Sequence, residues 1–159
     1  MVGISFHGRF QGVSHDSPWV HRYIERLGEL GMVPFVHAPA ESPEESLWKA
    51  EGLAEDFPDL TMLVLDAFSG FEQSREAVRV ALRRPNLVFD TALAFDFHFI
   101  MPLVRRCGAD RVVYGSDLYS WPSGAYGDAG LSQILSADLD DASKAAIVGG
   151  TLRRVLGLT

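Results

Sequence analysis

The sequence predicts an α/β fold built on a parallel sheet of five strands covered by helices. Two observations carry this. Short β-rich apolar runs alternate with helical patterns along the chain, in the order β-α-β-α-β-α-β-α-β-α. The runs are apolar on both faces, and strands buried on both faces belong to parallel sheets packed against amphipathic helices. At 159 residues the chain is long enough for one domain with a core, and residues 1–159 are read as that single domain.

The first strand is "VGISF", Val2 to Phe6. The helix in "SPWVHRYIERLGELG" has clear punctuation: Ser17 suits the N-cap, Pro18 the first helical position, and Gly31 the end. Val20, Tyr23, Ile24 and Leu27 form its apolar stripe. "MVPFVH" is the second strand. A helical stretch follows from about Pro43 to Glu55, with Leu47, Ala50 and Ala54 on one face. Leu60 to Asp66 is the third and most apolar strand. The helix from Phe71 to Arg83 is expected to bury Val78, Ala81 and Leu82. Asn86 to Thr91 is the fourth strand. Pro102 marks the start of a shorter helix in "FIMPLVRRCG". "RVVYG" is the fifth strand. A Gly-rich loop, Ser123 to Gly130, then leads to helices at about Asp140 to Val148 and Thr151 to Leu156. No linker, low-complexity segment or internal repeat interrupts this rhythm.

Composition narrows the function classes. The chain is 47% hydrophobic and 22% charged, which reads as soluble and globular. A net charge of −7 argues against a nucleic-acid partner or an anionic membrane surface. No apolar run approaches the roughly 20 residues of a membrane helix, and "MVGISFHGRF" lacks the pattern of a signal peptide. The single Cys107 cannot form an internal disulfide, which fits a cytoplasmic setting.

Parallel β/α folds place reactive groups at the C-terminal ends of their strands. Those ends read His7, His37, Asp66, Asp90 and Asp117. One polar residue at a half-solvated strand end is ordinary; five of metal-ligand or acid–base type are not. Each also has a bland reading. His7 caps a strand or contacts an anionic group. Asp66 competes as the cap of a turn with Ser69, and Asp90 reads as structural. Asp117 suits an Asx-turn after Gly115-Ser116. Arg9 is a candidate for an anionic substrate group, and Tyr119 and Trp121 are candidate pocket or lid aromatics. His15, His21 and His98 read as surface residues.

The segments "GISFHGRFQG", "MVPFVHA", "NLVFDTA", "GADRVVYGSD" and "ASKAAIVGGTLRRVLGL" resemble the amidohydrolase-related TIM-barrel proteins, amidohydrolase family 2. That family holds metal-dependent hydrolases and non-oxidative decarboxylases of aromatic acids. The resemblance implies a partial (β/α) TIM barrel whose five strands correspond to strands 4–8, with the first three β/α units absent. It implies that His37 is the fifth-strand metal ligand and that Asp117 is the last-strand aspartate, which binds the metal or activates its water. The sixth-strand histidine falls at Asp66, so the implied ligand set is His37, Asp66 and Asp117. His37 and Asp117 become the catalytic pair, and His7, Arg9, Tyr119 and Trp121 the substrate-binding residues. The family's His-x-His pair occurs nowhere in the chain.

The implied cofactor is therefore a divalent metal, zinc first, held weakly or not at all by the isolated chain. The implied function is hydrolysis by metal-activated water, or acid–base chemistry, on a small organic acid, amide or ester. The alternatives are non-oxidative decarboxylation of an aromatic acid, and a degenerate or truncated relative that binds a small molecule or serves as a structural subunit. An arc of five strands has two edges, "VGISF" and "RVVYG", so a homo-oligomer or a chain supplying the missing strands is expected.

Overall fold

The computed structural model describes residues 1–117 and 129–158. Strands β1 (Gly3–Phe6), β2 (Val33–His37), β3 (Met62–Leu65), β4 (Leu87–Asp90) and β5 (Val112–Val113) form one sheet in the order β1-β2-β3-β4-β5. Every neighbouring pair is parallel. Sequence order and parallel pairing together are the signature of a (β/α) barrel wall rather than a doubly wound sheet, whose strand order reverses.

The register sorts the side chains into two faces. Phe6, Val36, Val64, Phe89 and Val112 form one row across the sheet. All are buried in the main core with Ile24, Leu47, Leu53, Ala77 and Leu103 from the helices. On the opposite face Val33, Leu63, Val88 and Val113 form a second buried cluster, joined by Phe35 and Leu65. The strands are thus apolar on both faces because both faces are covered.

The helices follow from local chemistry. Helix α1 is a single turn, Gly8–Gln11, and α2 spans Pro18–Glu29. Ser17 Oγ accepts the Val20 N–H of α2, and Val20, Ile24 and Leu27 are buried while Tyr23 is half-buried. The stretch read as one helix from Pro43 is two pieces, a 3₁₀ turn at Pro43–Glu45 and helix α3 at Leu47–Asp56. Helix α4 is Phe71–Arg83, but Leu82 is exposed, and Ala77 and Val80 take buried positions beside Val78 and Ala81. Helix α5 is Met101–Cys107 with Pro102 in its first turn. Helix α6, Ala129–Ser136, begins where the sequence suggested a loop. The C-terminal segment is α7 (Asp141–Ala145), a π-helical stretch at Ala146–Gly150 and α8 (Thr151–Val155). Leu152 and Val155 of α8, with Leu156, pack on the second cluster. Among the described residues no helix is long and apolar enough to cross a membrane.

Candidate active site at the C-terminal strand ends

The inner face of the sheet changes character along the strands. Its lower part is the apolar trio Val33, Leu63 and Val88, and Val113 continues the cluster at the level of Asp90. Two residues beyond Phe35 on β2 comes His37, and two beyond Val88 on β4 comes Asp90. Strand alternation therefore turns an apolar floor into a polar rim.

His37 is nearly buried, and its Nδ1 lies 2.7 Å from Asp66 Oδ2. An ionised carboxylate only accepts, so this bond puts the proton on Nδ1 and leaves Nε2 basic. Nε2 lies 3.1 Å from Ser5 Oγ, whose hydroxyl then donates to it. Asp66 reaches this position through a left-handed backbone, φ +66°, a conformation that aspartate tolerates better than most residues. Its side chain thus serves His37, while the turn that follows is closed by the backbone, Ser69 N–H to Asp66 C=O.

Asp90 Oδ1 accepts the Asp66 backbone N–H at 3.0 Å. Burial, and then the negative charge of Asp66, push the Asp90 carboxyl well above the usual carboxylate range. It therefore favours the neutral acid. A Cβ at Gly115 would stand 3.0 Å from Asp90 Oδ2, so glycine permits this close approach. Thr91 ties the same strand ends together: its Oγ1 donates to Gly115 C=O and accepts the Gly115 N–H. Asp117, also left-handed at φ +51°, follows two residues later. His37, Asp66, Asp90 and Asp117 line one cavity of about 360 Å³, with Leu65 and Ser116 among its walls.

His7 lies beside this cavity. It caps α1, and its ring stacks on His37 with centroids 4.1 Å apart and planes 12° apart. Its Nδ1 bonds Glu45, a fully buried carboxylate on the 3₁₀ turn after β2. Glu45 gives no signal in the sequence, because "SPEES" looks like a solvated helix start. His15 is a correction: it is wholly buried, with Nε2 donating to His37 C=O at 2.8 Å. Burial pushes its pKa down, so it stays neutral. His21 pairs with Asp56 on the helical layer, and His98 is exposed. Arg9 is exposed, with its guanidinium over the Phe10 ring. Tyr119 and Trp121 lie outside the described residues.

A metal fits this donor set poorly as it stands. Both ring nitrogens of His37 have partners, and Asp66 is engaged with one of them. Among the described residues no three His, Cys, Asp or Glu side chains converge as a metal group. The cavity gathers an imidazole bonded to a carboxylate, a carboxyl whose ionisation burial resists, and a further aspartate.

A parallel (β/α) barrel wall with its polar groups at the C-terminal rim defines a class of catalytic scaffold. The amidohydrolase family model, Amidohydro_2, matches residues 1–158, and the chain belongs to that family. No curated protein matches it. Among solved structures, an uncharacterized TIM-barrel protein from Bordetella bronchiseptica is similar, with 18% identity, TM-score 0.74, and 92% of this chain covering 53% of that one. 5-Carboxyvanillate decarboxylase from Sphingomonas paucimobilis has 17% identity and TM-score 0.70, covering 100% of this chain and 59% of that one. A dihydroxybenzoic acid decarboxylase from Polaromonas sp., solved with bound manganese, has 15% identity and TM-score 0.68, covering 91% and 55%. The chain thus spans little more than half the length of these three proteins.

Proposed function

We propose that the chain performs acid–base hydrolysis of a small amide or ester at the C-terminal ends of its strands. The observation that carries this reading is the Asp66–His37 pair opening on the cavity that Asp90 and Asp117 share. Once Ser5 Oγ yields its place on Nε2 to water, His37 Nε2 takes a proton from that water as the water oxygen attacks the carbonyl carbon. The imidazolium then returns the proton to the leaving amine or alcohol as the C–N or C–O bond breaks. Asp66 on Nδ1 stabilises the imidazolium that forms. Asp90 in its acid form donates a hydrogen bond to the developing oxyanion. Asp117 orients the attacking water.

The wall chemistry favours a neutral substrate over an acid. The cavity is lined by three aspartates and, among the described residues, by no lysine or arginine. Decarboxylation of an aromatic acid is the second reading, supported by the names of two structural neighbours. It needs a cation at the substrate carboxylate, and Arg9 would have to supply it.

Turnover of p-nitrophenyl acetate and an aryl amide by wild type, His37→Gln and Asp66→Asn tests the reading. Loss of proton transfer at His37 is expected to lower kcat/KM about 10²–10⁴-fold. Equal rates in wild type and His37→Gln sink it. Release of CO₂ from 2,6-dihydroxybenzoate without ester turnover would move the assignment to the second reading.

A further inference from the structure

We propose that Glu45 is a positioning residue that holds a second imidazole, His7, stacked on His37 beside the cavity. This deepens the acid–base reading and rests on it for its functional meaning. Glutamate is almost never fully buried unless paired, yet Glu45 is wholly inaccessible. Its side-chain partner is His7 Nδ1, reached across 38 residues of sequence, and its Oε2 has no hydrogen-bond partner among the described residues. A buried carboxylate oxygen left bare is unfavourable, so packing alone is a poor reason to keep the charge there.

The pair repeats the arrangement next door. Asp66 binds His37 Nδ1, Glu45 binds His7 Nδ1, and the two rings lie nearly parallel in contact. The accessibilities differ in a useful way. The His7 side chain is 27% exposed while that of Glu45 is 0%, so the ring is open to solvent and the carboxylate behind it is not. A carboxylate acceptor on Nδ1 fixes the proton there and turns Nε2 into a lone-pair acceptor. The two stacked imidazoles therefore share one tautomer. His7 suits a ligand or bound water that presents an O–H or N–H, and Glu45 sets that preference without touching the ligand.

Long-range ¹H–¹⁵N correlation spectra of the ¹⁵N-labelled full chain at about pH 8, above the ordinary histidine pKa of roughly 6.5, read the tautomers directly. Wild-type His7 should be the Nδ1–H form. Glu45→Leu should convert it to Nε2–H, while Glu45→Gln, which keeps an acceptor oxygen, should retain Nδ1–H. His37 should stay Nδ1–H throughout, because Asp66 holds it. A wild-type His7 in the Nε2–H form overturns the proposal without any variant, and so does an unchanged His7 in Glu45→Leu. These spectra need no turnover, so they stand even if the ester reading fails. Where turnover is present, Glu45→Leu should lower kcat/KM about 10-fold or more, with Glu45→Gln restoring most of it.

Discussion

Asp90 carries its carboxyl two residues above Val88, against the Asp66 amide and beneath Gly115. In the unfolded chain an aspartate ionises near pH 3.9; in the fold, burial keeps this one protonated to higher pH. Between the two pKa values the native state holds the extra proton, so this residue's contribution to stability falls as pH rises. Asp90→Asn keeps an oxygen for the Asp66 N–H and removes the ionisation. Its stability relative to wild type should therefore increase steadily from about pH 4 upward, measured by urea unfolding at a series of pH values. A difference that does not vary with pH would mean that Asp90 ionises normally. His15 works in the other direction: held neutral by burial, it contributes stability that is lost as pH drops below about 6.5. At this scale the sequence was only half legible. His37, Asp66 and Asp117 stand out because a polar residue after an apolar run is visible in one dimension. Glu45 and His15 do not, because only the folded loops bury them against His7 and His37.

The strands were legible as elements because burial on both faces writes continuous apolar runs. The short pieces were less so. Helix α1 has four residues, too few for a periodic stripe, and α6 follows a Gly-rich stretch that masks its start. Arg111 read only as the first residue of a strand run, yet it joins three elements. Its Nε donates to Leu87 C=O, and its Nη2 donates to Ala81 C=O and Arg84 C=O, at the end of α4 and the entry to β4. Arg111→Met leaves these carbonyls without their charged donor. The expected loss is about 2–3 kcal/mol, read as a lower urea midpoint with unchanged slope. A loss within 0.5 kcal/mol, the usual range for a surface site, would show that water replaces the guanidinium freely.

Across the whole molecule the two sheet edges are not alike. The Tyr114 N–H, just past β5, donates to Ile147 C=O, so the C-terminal segment meets that edge. β1 pairs only with β2 among the described residues. An unprotected strand edge is a template for pairing, so light scattering at micromolar concentration should show association, and a clean monomer would contradict it. Metal content follows from the donor set. Elemental analysis should find well under one divalent ion per chain, because no three donors converge among the described residues. One tightly held manganese or zinc would show that Asp66 and Asp117 rearrange to bind it.

On the proposed chemistry the strand ends, and not the helical layer, receive the ligand. A second cleft of about 290 Å³ lies between α4 and α5, lined by Arg75, Arg79 and Arg106, and offers a clear rival location. Amide chemical-shift mapping with a neutral probe, benzamide, separates the two. The largest shifts should fall at residues 37–38, 65–66, 90–92 and 115–117. Shifts concentrated at Arg75, Arg79 and Arg106, with the strand ends unmoved, would contradict it.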